Sequence, residues 1–246
     1  ANRIDRFDPT GVHLSSFGHR DSSTAAFNQL KGIAVDTKAE RIYLSDWMDH
    51  RVRVFDLEGH YEGSIEPQIR VQHLADGSAL PSDFETDSQT RMWPVKEHQA
   101  FPGAMDLDAS GNIWLLRGAM YYEDDPRQEA GWLVRSFSPD GEPATGFGHR
   151  YFPRNARMRG IAVDQGAEHV YVSNSMRHSV MKFDMTGELL WEAGASRGSE
   201  PQQFDHPTGI AISPDGSTVY VIDANNHRIQ VLNSDGEFIS SWGEKG

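Results

Sequence analysis

The sequence lacks cysteine altogether, which excludes disulfides, thiol catalysis and cysteine-ligated zinc. No apolar run approaches the roughly 18 residues of a transmembrane helix, so no membrane span is predicted. Basic residues are also few, since 23 Lys and Arg stand against 36 Asp and Glu for a net charge of −13. Because such a surface repels a phosphate backbone on average, nucleic acid is not an expected partner.

Two catalytic signatures are absent as well. The chain has neither a Gly-x-Ser-x-Gly nucleophile turn nor a glycine-rich phosphate loop. It begins at Ala1 without a charged and then apolar leader, which leaves signal cleavage and simple removal of an initiator Met as alternatives. The acidic balance fits an exported protein, so we expect an extracytoplasmic location, either periplasmic or secreted.

What the sequence does contain is a repeat. Three segments align almost without gaps: Gly32–Asp36, Gly160–Asp164 and Gly209–Ser213. Each is followed by a β-rich run, at Ile42–Asp46, Val170–Asn174 and Val219–Asp223, and four residues later by His50, His178 and His227. A third β-rich run, a turn glycine and a fourth run close each unit. Four short strands separated by turn residues predict an antiparallel four-stranded meander.

Repeating such a meander radially produces a propeller, so the predicted fold class is all-β. The residues Asn226–Ile229, together with the Gly-Ile-Ala-Val-Asp and Tyr-Val-x-Asp runs, resemble the NHL repeat family. The resemblance covers about four fifths of the chain. It implies a β-propeller of six blades in the intact parent protein, with five as the alternative, that usually acts as a binding platform.

We predict one NHL-like propeller over residues 1–246. Its segments are an outer half-blade (1–18), a blade (29–65), an insertion (66–100), a diverged blade (101–148) with a loop at 117–131, and two further blades (157–194 and 204–243). These segments contain five outer strand pairs but four inner strand pairs, so one inner pair is unaccounted for. Residues upstream of Ala1, degenerate strands in 66–100, or strands from a partner would each supply it.

The recurring polar residues are interpreted as scaffold. Asp46, Asn174 and Asp223 end a strand, where a short polar side chain can bond turn backbone. We expect the three histidines to pack across their turns or to bond a neighbouring blade, because their equivalent positions lie in separate blades.

We expect functional residues where one repeat departs from the pattern that the others share. The diverged blade carries Asp106 where the others have alanine, and Arg117 where they have Asp or Asn. The loop that follows contains paired aromatic residues and three consecutive acids. The predicted ligand-binding residues are Trp93, Asp106, Arg117, Tyr121, Tyr122 and Glu123, and Asp106, Asp124 and Asp125 are candidate ligands for a divalent cation. A solvated surface loop is the alternative.

The chain is therefore interpreted as a non-catalytic propeller without a cofactor, which recognises a protein, peptide or glycan through one face. It could also serve as a subunit of a larger assembly. The alternative is a metal-dependent lyase or lactonase using zinc or calcium. Peptidyl-hydroxyglycine lyases resemble this chain but have histidines near the starts of their inner strands, where this chain has only His206 close by. A lactonase-type calcium site would use Asp106, Asn174 and Asp223.

Overall fold

The computed structural model describes residues 3–18, 27–66, 72–73, 79–80, 101–118, 133–147, 157–166 and 168–245. Twenty strands lie in these residues, and they form four sheets of four strands and two sheets of two. The half-blade consists of β1 (Ile4–Phe7) and β2 (His13–Phe17). A small hairpin within the predicted insertion consists of β7 (Gln72–His73) and β8 (Ala79–Leu80).

Each four-stranded sheet is a blade whose strands pair antiparallel in chain order. Blade 1 is β3 (Leu30–Asp36), β4 (Arg41–Asp46), β5 (Arg51–Asp56) and β6 (Tyr61–Ile65). Blade 2 is β9 (Phe101–Leu107), β10 (Ile113–Gly118), β11 (Leu133–Phe137) and β12 (Pro143–Phe147). Blade 3 is β13 (Met158–Asp164), β14 (His169–Asn174), β15 (Ser179–Asp184) and β16 (Leu189–Ala193). Blade 4 is β17 (Pro207–Ile212), β18 (Thr218–Asp223), β19 (Arg228–Asn233) and β20 (Phe238–Trp242).

The blades pack face to face, and the predicted all-β propeller class is confirmed. One apolar core lies between blades 1 and 2, a second between blades 2 and 3, and a third between blades 3 and 4. A fourth core, around Phe27 and Phe55, joins the half-blade to blade 1. Sheets buried on both faces require strands that are apolar at successive positions. In β14, for example, Val170 and Val172 face blade 2 while Tyr171 faces blade 4.

A recurring turn joins the third and fourth strands of each blade. In blade 3 the Asp184 carboxylate accepts the N–H groups of Thr186 and Glu188, both at 2.9 Å. The Gly187 N–H donates to the Asp184 carbonyl, and Gly187 has a φ of +88°, which favours glycine. The half-blade has the same turn at Asp8 and Gly11. This local geometry explains the periodic glycines of the sequence.

Helical structure is nearly absent from the described residues. A three-residue 3-10 turn, Ala224–Asn226, is the one helical element among them. None of these residues forms an apolar helix of the length that a bilayer requires.

Candidate functional site

Side-chain hydrogen bonds connect neighbouring blades close to their inner strands. Ser45 Oγ of blade 1 donates to the Gly103 carbonyl of blade 2 at 2.6 Å. Ser173 Oγ of blade 3 likewise donates to the Thr208 carbonyl of blade 4. In blade 2 the corresponding residue is Leu116, which cannot make this bond. The contact between blades 2 and 3 therefore lacks this serine bond.

Asp106 makes a different polar bond across this contact. The Val163 N–H of blade 3 donates to Asp106 Oδ2 at 2.8 Å, and the Leu107 N–H donates to Oδ1 at 2.9 Å. Burial raises the pKa of Asp106, while the two backbone hydrogen bonds act in the opposite direction. Both oxygens thus have partners within the scaffold, and the role of Asp106 in ligand binding stays a prediction.

The other predicted ligand residues lie largely outside the described part of the chain. Arg117 lies in β10, but its side chain is outside the described residues. The remaining predicted residues are outside them entirely: Trp93, Tyr121, Tyr122, Glu123, Asp124 and Asp125. The surface predicted from them stays a prediction.

The three strand-ending residues differ in the backbone N–H groups that their side chains accept. Asn174 Oδ1 accepts the N–H groups of Met176 and Arg177 in its own turn, as predicted. Asp46 instead accepts the N–H groups of Asn28 and Gln29, which precede the inner strand. Asp223 accepts the N–H of Asp205 at 2.7 Å in the corresponding way. The carboxylates therefore fix the segment that enters the blade.

The recurring histidines share an unusual backbone conformation. His50, His178 and His227 each have a φ of +55°, in the left-handed region. His178 also bonds the next blade, as predicted, because the His206 N–H donates to His178 Nδ1 at 3.2 Å. The two rings meet edge to face with centroids 4.8 Å apart.

Among the described residues, one group of three histidine or carboxylate side chains is close enough to share a metal ion. It consists of His178, Asp205 and His206 at the contact between blades 3 and 4, with ligand atoms within 4.8 Å of one another. His206 Nδ1 lies 2.7 Å from Asp205 Oδ1, and His178 Nδ1 lies 3.6 Å from the same oxygen. We call this group the seam cluster.

Two further side chains complete the surroundings of the seam cluster. Arg197 Nε donates to Asp205 Oδ2 at 3.0 Å, on the outer side of the carboxylate. The Asn225 amide nitrogen lies 3.2 Å from Asp205 Oδ1 and 3.0 Å from His206 Nδ1. The hydrogen bond from His206 lowers the pKa of Asp205, and burial followed by the neighbouring His206 lowers the pKa of His178. A carboxylate and a neutral imidazole therefore face each other near neutral pH.

Sequence reasoning identified two of the three side chains but not their proximity. His178 and His206 are 28 residues apart and belong to different blades. The available signal was a departure from the repeat, since Asp205 and His206 occupy the places that Asn28 and Gln29 hold before blade 1.

A second feature is an apolar surface that is exposed rather than packed. On blade 4 it comprises Tyr220, Ile222 and Trp242, which share one face of the sheet because cross-strand partners lie on the same side. On blade 1 it comprises Ile33 and Val35 of the inner strand. We call these five residues the open flank. The residue equivalent to Tyr220 in blade 3, Tyr171, is fully buried, whereas Tyr220 is 38% exposed.

Trp242 occupies a position that elsewhere contacts the next blade. Phe147, its counterpart at the end of blade 2, lies so close to Gly187 of blade 3 that a Cβ there would be 2.3 Å from it. Phe17 and Ile65 approach Gly59 and Gly141 in the same way. The corresponding glycine of the half-blade, Gly11, has no atom of the described residues within 4 Å of a Cβ position. Within this part of the chain, Gly11 lacks the contact that its counterparts make, and Trp242 is 59% exposed.

Comparisons with known proteins agree with this geometry. The architecture defines a β-propeller built of four-stranded antiparallel blades. Residues 204–232 match the NHL repeat model, which confirms the resemblance to the NHL repeat family. A bovine NHL repeat-containing protein 2 is 31% identical over 97 residues, which cover 35% of this chain and 13% of the relative.

A mouse peptidyl-glycine alpha-amidating monooxygenase is 28% identical over 195 residues, covering 68% of this chain and 19% of the relative. The chain spans about a fifth or less of the length of these curated relatives. Among solved structures, a chain of a nidogen/laminin complex has a TM-score of 0.61 at 11% identity, with 97% of this chain and 71% of that chain covered. A protein from Bacteroides caccae has a TM-score of 0.60 at 14% identity, and the match covers 99% of this chain and 69% of that chain. These two likenesses concern the fold.

Proposed function

We propose that this chain is a non-catalytic binding module that recognises a protein partner through the open flank. The partner places an antiparallel β-hairpin against the half-blade, between blade 4 and blade 1. The exposure of five large apolar side chains on sheet faces that are buried elsewhere in the same fold carries this proposal. Clusters of exposed apolar side chains typically mark a site of protein interaction.

The size of the expected partner segment follows from the blades themselves. Each complete blade has two inner and two outer strands, whereas the described part of the half-blade consists of β1 and β2. Within the described residues, β1 pairs with β2 and with no other strand. An unpaired strand edge can accept an added strand through main-chain hydrogen bonds. Two added strands would make this sheet equal to the others.

The chemistry of the partner follows from the two sides of the flank. Ile33 and Val35 are exposed on blade 1, and Tyr220 and Ile222 are exposed on blade 4. A hairpin that enters here has to be apolar on both faces, as β13 and β14 are in blade 3. In blade 3 the aliphatic face of the inner strands meets the preceding blade, and the face with Tyr171 meets the next one. Aliphatic residues of the hairpin would therefore contact Tyr220 of blade 4, and its opposite face would contact Ile33 and Val35 of blade 1.

The fold comparison supports a binding role at a coarse level. A propeller of this shape occurs in a complex of nidogen with laminin. The loops at 66–100 and 117–131, with Trp93, Tyr121 and Tyr122, would add a second contact surface. We also propose an extracytoplasmic location and a place in a larger assembly.

The test uses a hairpin probe whose sequence is known to fit a blade. A fluorescein-labelled synthetic peptide with the sequence of residues 157–176 is titrated with the protein, and fluorescence anisotropy measures its binding. We expect saturable binding to the unmodified protein. The double variants Ile33→Ser with Val35→Ser, and Tyr220→Ser with Trp242→Ser, are expected to bind at least tenfold more weakly.

The matched control changes two apolar residues of similar exposure outside the flank, Leu190→Ser with Ile239→Ser. This variant should bind the peptide as the unmodified protein does. Equal binding by the flank variants, or no saturable binding at all, would overturn the proposal. Light scattering supplies a further outcome, because dimerisation that the flank variants abolish would assign the surface to a second copy of the chain instead.

A further inference from the structure

The geometry points to a second site, independent of the open flank: the seam cluster binds a divalent transition metal ion of the zinc type between blades 3 and 4. Its protein ligands are His178, Asp205 and His206, with the Asn225 amide as a candidate fourth. The proposal concerns a metal site away from the inner-strand starts and away from the acidic loop of blade 2.

The spacing of the donor atoms fits a common ion. Ligand atoms bound tetrahedrally to zinc at 2.0–2.2 Å are about 3.4 Å from one another. Measured from Asp205 Oδ1, His206 Nδ1 is at 2.7 Å, the Asn225 amide nitrogen at 3.2 Å and His178 Nδ1 at 3.6 Å. The Asn225 amide is 3.0 Å from His206 Nδ1. The ligand atoms of the seam cluster lie within 4.8 Å of one another, so shifts of up to about 1.4 Å would place these groups around one centre.

Hydrogen bonding alone does not satisfy this arrangement. A ring nitrogen carries either a proton or a lone pair, so His206 Nδ1 cannot donate to Asp205 and accept from Asn225 at once. Rotating the Asn225 amide by half a turn removes that conflict but brings its oxygen to 3.2 Å from the Asp205 carboxylate. A cation at the centre resolves both cases, because the imidazole nitrogen, the carboxylate and the amide oxygen would all provide lone pairs.

The outer contacts are those of a metal ligand set. Asp205 is a carboxylate with lone pairs on both oxygens, whereas the lone pair of His178 Nδ1 accepts the His206 N–H at 3.2 Å, a bond that the ion would replace. Arg197 holds the outer oxygen of Asp205, and the Asp205 N–H is bonded to Asp223. Such outer contacts orient the ligands of metal sites. The His206 side chain is 42% exposed, which provides a route from solvent.

The donor types select the class of ion. Imidazole suits zinc, copper and nickel, whereas calcium and magnesium prefer oxygen ligands alone. The seam cluster offers two imidazoles and one carboxylate. Zn²⁺ is therefore the appropriate probe, and Ca²⁺ and Mg²⁺ should not compete with it.

The primary test is isothermal titration of the metal-stripped protein with Zn²⁺. We expect one ion per chain, and an affinity at least tenfold weaker in His178→Gly and in His206→Gly. Both positions have a positive φ, so glycine removes the ring without backbone strain. The matched control is His227→Gly, which has the same turn position and the same φ of 55° in blade 4 and should bind as the unmodified protein does.

Two measurements on the unmodified protein keep the test independent of the folding of any variant. Co²⁺ should produce the visible absorption of a tetrahedral or five-coordinate nitrogen and oxygen site. Zn²⁺ should protect His178 and His206, but not His227, from modification by diethyl pyrocarbonate, as read by peptide mass spectrometry. Substoichiometric binding, equal loss of affinity in His227→Gly, or unprotected His178 and His206 would overturn the proposal.

Discussion

The contact between blades 2 and 3 and the open flank use equivalent residues in opposite environments. Ile161 of β13 is 5% exposed because blade 2 covers it, whereas Ile33, at the same position of β3, is 51% exposed. The half-blade covers the outer part of blade 1, around Phe55, but leaves its inner strand uncovered. The same sequence pattern thus produces a core in one place and a surface in another, depending on whether the preceding sheet has two strands or four.

The strongest test of this comparison removes the same atoms from both regions. Ile161→Ala should lower the free energy of unfolding by about 2–5 kcal/mol, because it leaves a cavity in a packed core. Ile33→Ala should change it by less than about 1 kcal/mol, since half of that side chain already contacts solvent. Urea unfolding measures both. A large loss at Ile33 would show that the flank is covered in the folded protein.

The glycines of the recurring turn provide a second test. Gly187 and Gly11 have nearly equal φ values, +88° and +86°, so alanine should cost each about 1–2 kcal/mol in backbone strain. At Gly187 the new methyl also meets Phe147, which should add roughly 1–3 kcal/mol from overpacking. Thermal unfolding of Gly187→Ala and Gly11→Ala gives the difference. Equal destabilisation would mean that Gly11 is also in contact with a neighbouring side chain.

Substitutions of Asp106 test the polar bond between blades 2 and 3. Asp106→Ala leaves the Val163 and Leu107 N–H groups without their acceptor and should cost about 1–3 kcal/mol. Asp106→Asn can still accept through its amide oxygen and should cost less. Chemical denaturation at pH 7 distinguishes the two variants. If Ala and Asn were equally harmless, the inter-blade bond would contribute little to stability.

The smallest effect is expected at Tyr171. Burial raises the pKa of Tyr171 to about 12, and its hydroxyl has no hydrogen-bond partner among the residues that the structure describes. Because this pKa lies above the unfolded value of about 10, folded stability decreases as the pH rises above 10. Tyr171→Phe should remove that loss and change stability at pH 7 by less than about 1 kcal/mol.

Spectrophotometric titration at 295 nm checks the assignment. The ionisation step near pH 12 should disappear in Tyr171→Phe and persist in Tyr220→Phe, the equivalent change on the open flank. A step that survives Tyr171→Phe would assign the high pKa to another tyrosine.

The fold was predictable because it depends on local periodicity. Strands such as β14 and β18 carry consecutive apolar residues, and the turn glycines recur at fixed distances from them. The all-β propeller class followed from these features. The exposure of Ile33 was not predictable, because its sequence context is the same as that of the buried Ile161.

The site was less predictable for a different reason. The seam cluster depends on the stacking of blades 3 and 4, which brings together His178 and His206 from turns 28 residues apart. Asp106 did mark a departure from the repeat, but the structure shows that its carboxylate bonds the next blade. A departure in sequence can therefore serve the contact between blades, here through a backbone N–H where Ser45 and Ser173 bind a carbonyl in other blades.

Ile222 of the open flank affects how an added strand would align on blade 4. It occupies the position of those two serines, so blade 4 offers a hydrocarbon side chain where blades 1 and 3 anchor a specific carbonyl. A polypeptide that joins blade 4 finds no hydroxyl to set its alignment along the strand. Its lateral position would be decided by the shapes of neighbouring side chains, which leaves this edge able to accommodate more than one sequence.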